Sequence, residues 1–407
     1  MNALALMCRV GFEADLIDEL AHWYAQAQAA ATLRSDQPGV VRVSAATLLP
    51  RCSELVYARD CIVVHQELPA LDPRDRLTPI TAALAQAGLA PPALVLAPDS
   101  EATKPLAPLL GALAARLQPG GAEAGSARVW MLSGTHALIG STPPAGGAVY
   151  PGGVPRLKFP REAPSRSTLK LEEAFHVLMT ASERHTLLRA GGSAVDLGAA
   201  PGGWTWQLVA RRIRVTAIDN GRIDQRLLDS GLVQHLAEDG FRYRPPKPVD
   251  WLVCDMVEKP ARVVELMLRW FASGWCRAAI FNLKLPMKRR FEAWLQARQT
   301  LQPLQAAGYS LRARQLYHDR EEITVAVLPP HGRASQPIVL PTQRAAPSAR
   351  SSPPAPSGKR APPVAPGRAG RPASKPPARN VTAVRDRRAK PGAPGPRKPS
   401  PGKRGRR

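Results

Sequence analysis

The chain has 407 residues and a formal net charge of +24, with 56 lysines and arginines against 32 acidic residues. It is longer than one ordinary domain, so we expect two or three folded units. The charge is unevenly placed, because residues 341–407 hold 18 basic residues and one acid, Asp386. The preceding 340 residues carry 38 basic and 31 acidic groups, and are therefore only mildly basic at +7.

Cysteines, histidines and apolar segments exclude several classes of protein. Five cysteines, an odd number without a CxxC pair, give no disulfide framework in a chain of this length. The eight histidines lack metal-ligand spacing, so no metal site is predicted. The first residues lack the features of a signal peptide, and no stretch reaches the roughly 18 apolar residues of a membrane span. We expect a cytoplasmic protein that binds no membrane.

The first 150 residues alternate short strand and helix signals. The pattern predicts strands at residues 3–10, 40–43, 55–65, 93–96 and 129–140, and helices at residues 11–23, 80–87 and 105–117. Two small α+β units, residues 1–50 and 51–150, fit this pattern better than one large sheet. Prolines and glycines concentrated in residues 143–153 mark the boundary to the next unit.

Residues 151–335 carry longer, regularly alternating signals. Strands are predicted at residues 194–197, 215–218, 251–254, 278–283, 310–316 and 323–328, and helices at 169–182, 205–212, 260–272 and 288–307. This alternation predicts an α/β fold, a doubly wound, Rossmann-like domain whose mostly parallel sheet has helices on both faces. Ligands bind such a fold at the carboxyl ends of its strands.

Residues 336–407 are predicted to be a disordered basic tail. Residues 341–407 contain 16 prolines and no aromatic residue, so this segment cannot bury enough apolar surface to fold. Two interpretations stay open for it. It is either a solvated extension without a defined task or a polybasic arm that adds sequence-independent affinity for phosphates.

A glycine-rich turn, residues 195–205 (VDLGAAPGGWT), links a predicted strand to a helix. Its glycines permit a sharp turn and a close approach of backbone to a ligand, although their spacing does not fit GxGxxG. Asp219 follows the next strand, where a carboxylate can accept the ribose hydroxyls of an adenosine. Asp239, farther on, can take an adenine amino group. Each acid also stands in a sequence typical of turns, but their order favours a nucleotide-cofactor site.

Lys170, Asp255, Lys284 and Glu322 form a second constellation, and three of them stand at predicted strand ends. A neutral lysine can take a proton from a hydroxyl if burial and a nearby cation lower its pKa well below about 10.4. We therefore interpret Lys284 as the general base, with Lys170 as the second cation. Asp255 holds the base, and Glu322 orients Lys170 or the substrate. Together the four residues predict methyl transfer to a ribose hydroxyl.

Two other groups keep alternative interpretations. Trp204 and Trp206 either stack on a base or pack the helix that follows the glycine turn. A basic stretch beside the predicted site either contacts an RNA backbone or is a solvated linker. It comprises Arg156, Lys158, Phe159, Arg161 and Arg166.

Five longer strings carry a family resemblance. They are residues 155–160 (PRLKFP), 163–177 (APSRSTLKLEEAFHV), 254–260 (CDMVEKP), 281–288 (FNLKLPMK) and 314–322 (RQLYHDREE). With them the chain closely resembles the ribosomal large subunit methyltransferase M family of the FtsJ-like 2′-O-ribose methyltransferase superfamily. The resemblance is dense over residues 150–328, weaker before them and absent from the tail.

The resemblance implies S-adenosylmethionine as methyl donor and the 2′-hydroxyl of a cytidine in 23S ribosomal RNA as acceptor. It implies a ferredoxin-like unit in residues 1–50 and a THUMP domain, an RNA-binding module, in residues 51–150. Carried onto this sequence, the cofactor residues are Ser167, Ala200, Pro201, Gly202, Gly203, Asp219, Asp239 and Asp255. Lys284 is the proton acceptor, and Lys170 and Glu322 complete the catalytic set. Ala200 stands where the family is expected to have cysteine often.

Two rival functions stay open. The same donor can serve another RNA or a protein side chain, although the lysine pair argues against a carbon or amine acceptor, because an amine needs no strong base. The chain can also be a non-catalytic RNA-binding assembly factor that has kept the fold, which retention of both lysines disfavours. We expect no metal cofactor and a monomer.

Overall fold

The computed structural model describes residues 2–46, 48–118, 125–144, 146–330 and 338. The strands of these residues form two seven-stranded sheets. None of the helices in these ranges combines the length and the apolar character of a membrane-spanning segment. The tail predicted for residues 336–407 lies outside the described residues except for Ile338.

The first sheet is built from residues 2–141. Its elements are β1 (Asn2–Met7), α1 (Glu13–Gln26), β2 (Thr32–Gln37), β3 (Val40–Ala46), β4 (Asp60–Leu68), α2 (Leu77–Gln86), β5 (Leu94–Leu96), α3 (Ala107–Leu117), β6 (Ala127–Ser133) and β7 (His136–Ser141). The strand order is β2-β3-β1-β4-β7-β6-β5. The single strand predicted at residues 129–140 is wrong, since the chain turns at residues 134–135 and β6 pairs with β7 as a hairpin.

The sequence favoured two small α+β units over one large sheet, but the strands of both predicted units form one seven-stranded sheet. Strand β1 pairs antiparallel with β4, with Leu4 opposite Val63, and this pairing joins strands from both predicted units. Hydrophobic periodicity along a strand does not name its partner, and pairing removes an open edge from each unit. The helices do divide into two groups: α1 packs in one hydrophobic cluster, and α2 and α3 pack in another.

The second sheet is built from residues 168–328. Its elements are α4 (Thr168–Leu178), α5 (Ala181–Leu187), β8 (Ser193–Leu197), α6 (Gly203–Val209), β9 (Arg214–Ile218), α7 (Gln225–Asp229), β10 (Val233–Leu236), β11 (Val249–Cys254), α8 (Pro260–Ala272), β12 (Cys276–Lys284), α9 (Arg290–Thr300), α10 (Gln302–Ala306), β13 (Ser310–Arg314) and β14 (Glu322–Leu328). The strand order is β10-β9-β8-β11-β12-β14-β13. Strands β8 to β12 are parallel, and β14 is antiparallel to both β12 and β13. The predicted mostly parallel α/β sheet is confirmed.

Strand β11 shows why both faces of this sheet are covered. Trp251 and Val253 pack in a cluster with α4 and α6, whereas Leu252 and Cys254 pack with α8 and α9. Successive side chains of a strand point to opposite faces, so a continuous apolar run needs helices on both. The helix predicted at residues 169–182 is two helices, because Thr180 begins a new one with a capping box to Glu183.

The segment between β3 and β4 contacts the end of β13 and the loop that follows it. The backbone N–H of Gln315 donates to the carbonyl of Val56 at 2.9 Å. Arg314 Nη1 donates to the carbonyl oxygens of Cys52, Leu55 and Ala58. This loop also leads into Glu322, so the segment between β3 and β4 contacts a stretch of chain that ends at a residue of the predicted catalytic set.

Candidate active site

Four charged side chains meet at one edge of the second sheet. Asp255 follows β11, Lys284 ends β12, and Lys170 lies in the first turn of α4. Glu322 begins β14 and pairs in register with Lys284. Because β14 runs antiparallel to β12, its first residue lies at the edge where the parallel strands end. The sequence-predicted residues of this constellation are therefore brought together by the sheet.

The four side chains form a closed ring of alternating charge. Lys284 Nζ donates to Asp255 Oδ1 at 2.7 Å and also contacts Glu322 Oε2. Lys170 Nζ lies 3.4 Å from Asp255 Oδ2 and contacts Glu322 Oε1. Each lysine therefore contacts one oxygen of each carboxylate, and these contacts fix the positions of the ammonium groups.

Burial strengthens these interactions, since the four side chains are between 6% and 24% exposed. Burial lowers the pKa of Lys284, but the carboxylates of Asp255 and Glu322 outweigh it, and the net pKa is raised. Burial likewise raises the pKa of Glu322, but its two lysine partners outweigh burial and lower it overall. The expectation that Lys170 would lower the Lys284 pKa is wrong for this state, because two carboxylates stand between the cations.

Behind the ring lies a buried polar chain that sequence analysis missed. Asn282, fully buried in β12, donates from Nδ2 to Asp255 Oδ1 at 2.9 Å. The Thr324 hydroxyl donates to Asn282 Oδ1 at 2.7 Å and lies 3.0 Å from an oxygen of Asp319. Burial raises the pKa of Asp319 well above its ordinary value. The available signal was a polar residue, Asn282, inside an apolar strand.

The glycine-rich turn lies against the loop that follows β11. Gly198 has φ +78°, and a Cβ built there would lie 2.6 Å from Met256 Cγ, so no larger residue fits. A Cβ at Gly203 would collide with the hydroxyl oxygens of Ser165 and Ser167. The turn is therefore held between Met256, which neighbours Asp255, and Ser167, three residues before Lys170. Ser167 and Gly203 of the predicted cofactor set are in direct proximity.

Asp219 lies at the carboxyl end of β9 and contacts the same turn. Its Oδ2 accepts from the backbone N–H of Ala200 at 2.9 Å, and its Oδ1 accepts from that of Gly221 at 2.7 Å. Each oxygen keeps a second lone pair, and the residue is half-exposed. Pro201 and Gly202 continue the turn, with Gly202 at φ +114° immediately before α6.

Asp239 is farther out on the same edge. Its side chain is 51% exposed and accepts from the Phe241 N–H at 2.8 Å, the geometry of a turn. The next residue, Gly240, comes close to the site, because a Cβ there would lie 3.2 Å from Met256 Sδ. The contacts of Asp239 are therefore those of a turn residue. It also lies beside the loops that converge on Met256.

The residues at this edge fit an adenosine-containing cofactor. Asp219 offers carboxylate lone pairs to ribose hydroxyls beside a glycine turn that has no large side chains. Asp196, 1% exposed in β8, supports the turn from below by accepting from the Thr205 hydroxyl at 2.7 Å. Burial raises the pKa of Asp196 to about 7. Among the described residues, no cluster of histidine, cysteine and acidic side chains could hold a metal ion.

The structure also bears on the two open interpretations from the sequence. Trp204 is 3% exposed and packs in the cluster with α4, so it does not offer a stacking face. Phe159 is 39% exposed, with the Arg166 guanidinium carbon 5.8 Å from its ring centroid. An exposed aromatic ring beside arginines is compatible with RNA contact.

Comparisons with known proteins agree with this geometry. Residues 163–282 match the model of the FtsJ-like methyltransferase family. Ribosomal RNA large subunit methyltransferase M of Stenotrophomonas maltophilia (strain R551-3) is 46% identical over 343 residues, covering 80% of this chain and 97% of the relative. The protein of the same name from Xanthomonas axonopodis pv. citri (strain 306) is 45% identical over 347 residues, covering 81% and 99%.

A solved structure, TrmN from Thermus thermophilus, is 18% identical and covers 81% of this chain and 100% of its own, with a TM-score of 0.29, which is too low to carry an inference. The similarity to these relatives extends over nearly their whole length. The chain belongs to the ribosomal RNA large subunit methyltransferase M family, whose members are S-adenosylmethionine-dependent methyltransferases.

Proposed function

We propose that the protein methylates the ribose 2′-hydroxyl of a cytidine in 23S ribosomal RNA, cytidine 2498 in the family's substrate, with Lys284 as the proton acceptor. The observation that carries this proposal is the ring of Lys170, Asp255, Lys284 and Glu322 at the carboxyl edge of the sheet. A hydroxyl acceptor needs a base, because its proton leaves with difficulty. Lys284 is the more exposed of the two lysines in the ring.

Lys284 must be neutral when it accepts the hydroxyl proton. Its raised pKa means that the two carboxylates favour the protonated form before substrates bind. When bound, S-adenosylmethionine supplies an electrophilic methyl carbon and a sulfonium charge, and a nearby positive charge lowers the pKa of an ammonium group. Asp255 and Glu322 orient Lys284, and Lys170 offsets part of their negative charge.

The residues proposed to hold the donor surround the glycine turn. Asp219 would accept hydrogen bonds from the ribose hydroxyls, and Asp239 would accept one from the adenine amino group. Ser167, Ala200, Pro201, Gly202 and Gly203 would line the site with backbone and small side chains. Asp255 would lie next to the methionine portion, which places the donor beside the catalytic ring. Backbone contacts at Ala200 do not depend on the cysteine expected in relatives.

The N-terminal region is proposed to bind the RNA. We assign residues 1–50 to a ferredoxin-like unit, 51–150 to a THUMP-like RNA-binding unit and 151–335 to the methyltransferase domain. The contact of Gln315 with Val56 supports a coupled role, because the loop from residue 315 leads to Glu322. RNA held on the first sheet would therefore lie close to the segment that completes the catalytic ring.

A methyl-transfer assay tests the reaction and the acceptor class. The purified protein is incubated with methyl-labelled donor and 23S RNA from ribosomes that lack the modification, with 16S RNA as the matched control. Label is expected in 23S RNA alone, in a ribose that resists alkaline hydrolysis of its linkage. Label in another RNA or in protein would support the rival acceptors, and RNA binding without labelling would support an assembly factor.

A further inference from the structure

A cavity of about 280 Å³ lies between the first sheet and the loops of the methyltransferase domain. Its lining includes Arg59, immediately before β4, Lys104, before α3, and Arg156 and Tyr317. None of these residues belongs to the catalytic ring or to the proposed donor site. The cavity therefore needs an explanation of its own.

The cavity adjoins the catalytic edge through Tyr317. The backbone N–H groups of Tyr317 and His318 donate to the two carboxylate oxygens of Glu173 at 2.7 and 3.0 Å. Glu173 is 1% exposed and lies one turn of α4 after Lys170. A ligand in the cavity would thus sit beside the helix that supplies one of the catalytic lysines.

Arg59 is the most unusual residue of the cavity, because it is 9% exposed and has no carboxylate partner in an ion pair among the described residues. Its Nη2 donates to Gln315 Oε1 at 3.0 Å, and its Nε has no hydrogen-bond partner within the described ranges. A buried guanidinium is stable when anions or several acceptors satisfy its donors. The uncompensated positive charge of Arg59 favours an anion in the cavity that it lines.

The charge of the lining favours the same kind of ligand. Three cations, Arg59, Lys104 and Arg156, face one acid of the lining, Asp99. Glu101 lies 2.5 Å from Lys104 and reduces its contribution, whereas the exposed Arg156 carries its charge to the cavity mouth. Tyr317, with the Arg59 guanidinium carbon 5.5 Å from its ring centroid, adds an aromatic wall. Cations beside an aromatic ring are the chemistry that recognises a nucleic-acid backbone and its ribose or base.

We propose that this cavity binds one backbone phosphate of the RNA substrate, on the strand that carries the target nucleotide. The proposal rests on the proposed function for the identity of the RNA. Arg59 and Lys104 supply positive charge at the wall, Arg156 adds a third cation from the rim, and Tyr317 contacts the adjoining sugar. The bound phosphate holds the strand between the first sheet and α4, so that the target ribose is presented to Lys284.

The test uses the full chain and changes the two exposed cations, because Arg59 is buried and its replacement can disturb folding. The variants are Arg156→Gln and Lys104→Gln, singly and together. The matched control is Arg116→Gln, an exposed arginine near the end of α3 that does not line the cavity. Affinity for a 23S RNA fragment is titrated at several salt concentrations, and donor affinity, KM for RNA and kcat are measured on the same preparations.

The double variant is expected to bind RNA about tenfold more weakly, with a salt slope reduced by about one phosphate contact. KM for RNA rises more than kcat changes, donor affinity is unchanged, and the control matches the unaltered protein. Equal RNA affinity and equal slopes in the double variant and the control would overturn the proposal. A loss confined to kcat would also overturn it, since it would make the cavity a support for the catalytic loop.

Two further comparisons distinguish an RNA phosphate from a free phosphate ion, and a failure of this proposal from a failure of the proposed function. Inorganic phosphate is added at constant ionic strength to the unaltered protein and to the double variant, and it should weaken RNA binding more in the unaltered protein. Phosphate binding that is lost in the double variant but leaves the RNA affinity of the unaltered protein unchanged would instead assign the cavity to a free phosphate ligand and overturn the RNA proposal. The salt dependence of RNA affinity is a binding measurement, so it tests the cavity even if the unaltered protein fails to methylate 23S RNA. That failure would contradict the proposed function alone.

Discussion

Lys170 and Lys284 share the same two carboxylate partners, each taking one oxygen of Asp255 and one of Glu322. The residues come from a helix, a strand end, a loop and the start of an antiparallel strand, so the ring exists only in the folded sheet. Its two positive and two negative charges balance at neutral pH. A change to Asp255 or Glu322 removes a carboxylate that raises the pKa of Lys284, and this coupling makes the site testable.

Replacement of Lys284 separates chemistry from donor binding. Lys284→Ala should lower kcat by about 10²- to 10⁴-fold, the usual worth of a general base, with little change in donor affinity. Lys284→Arg should fail as well, because a guanidinium stays protonated in proteins. Single-turnover methylation and calorimetry with the donor measure the two effects, with the exposed Lys247→Ala as control. Normal turnover in either Lys284 variant would remove it as the base.

The pH dependence of the rate should report the Lys284 pKa. The neutral fraction of a base grows as pH rises toward its pKa, so a raised pKa extends the rise in rate into the alkaline range. Glu322→Gln removes a carboxylate that raises this pKa, and the rising limb should therefore shift to lower pH. Glu321→Gln, whose side chain is 52% exposed, is the control. If the limb stays in place in Glu322→Gln, the titrating group is not Lys284.

Asp219 should matter for donor binding more than for chemistry. Asp219→Ala should weaken the affinity for S-adenosylmethionine by about 1.5 to 3 kcal/mol, the worth of hydrogen bonds to a charged group. Loss of its bonds to the N–H groups of Ala200 and Gly221 should add to the effect by loosening the turn. Saturating donor should restore much of the rate, and Asp229→Asn serves as the exposed control. Calorimetry that finds donor affinity unchanged would contradict the ribose contact.

Asn282 should contribute to both stability and rate. Asn282→Ala removes the hydrogen bond that Asp255 Oδ1 accepts from Asn282 and the one that Asn282 accepts from the Thr324 hydroxyl, which should lower the free energy of unfolding by about 1 to 3 kcal/mol. The rate should fall while donor affinity is kept, because Asp255 loses its orientation. Urea unfolding and single-turnover assays measure both effects, with the exposed Thr300→Ala as control. A variant as stable and as active as the control would show that the buried chain does not position Asp255.

The sequence predicted the second sheet better than the first. Long apolar strands such as residues 251–254 and 278–283 can only lie between two layers of helices, so the α/β fold followed from local patterns. The pairing of β1 with β4, which joins the two predicted units, did not follow from local patterns, because the pairing partner of a strand is set by tertiary contacts. The short β10, which forms one edge of the sheet, was missed because four residues carry little periodicity.

The sequence predicted that these charged residues would lie at one edge of the sheet, but not the electrostatics of the ring they form. Strand ends in a parallel sheet share one edge, and that rule identified Asp255 and Lys284 as neighbours. The ring itself depends on β14 running antiparallel to β12, which places Glu322 opposite Lys284. No pattern in the sequence gives the balance of burial and carboxylate contact that raises the Lys284 pKa. Arg59 and Tyr317 were missed because they meet only where the two sheets contact each other.

The most direct measurement maps ribose methylation in 23S RNA from cells that lack this protein and carry one of two plasmids. One plasmid encodes the unaltered chain, and the other encodes Lys284→Ala. We predict a 2′-O-methylated cytidine at one position with the unaltered chain, and none at that position with Lys284→Ala although the variant is present in equal amount. Methylation of that position by the variant, or a methyl group on a base instead of a ribose, would contradict this prediction.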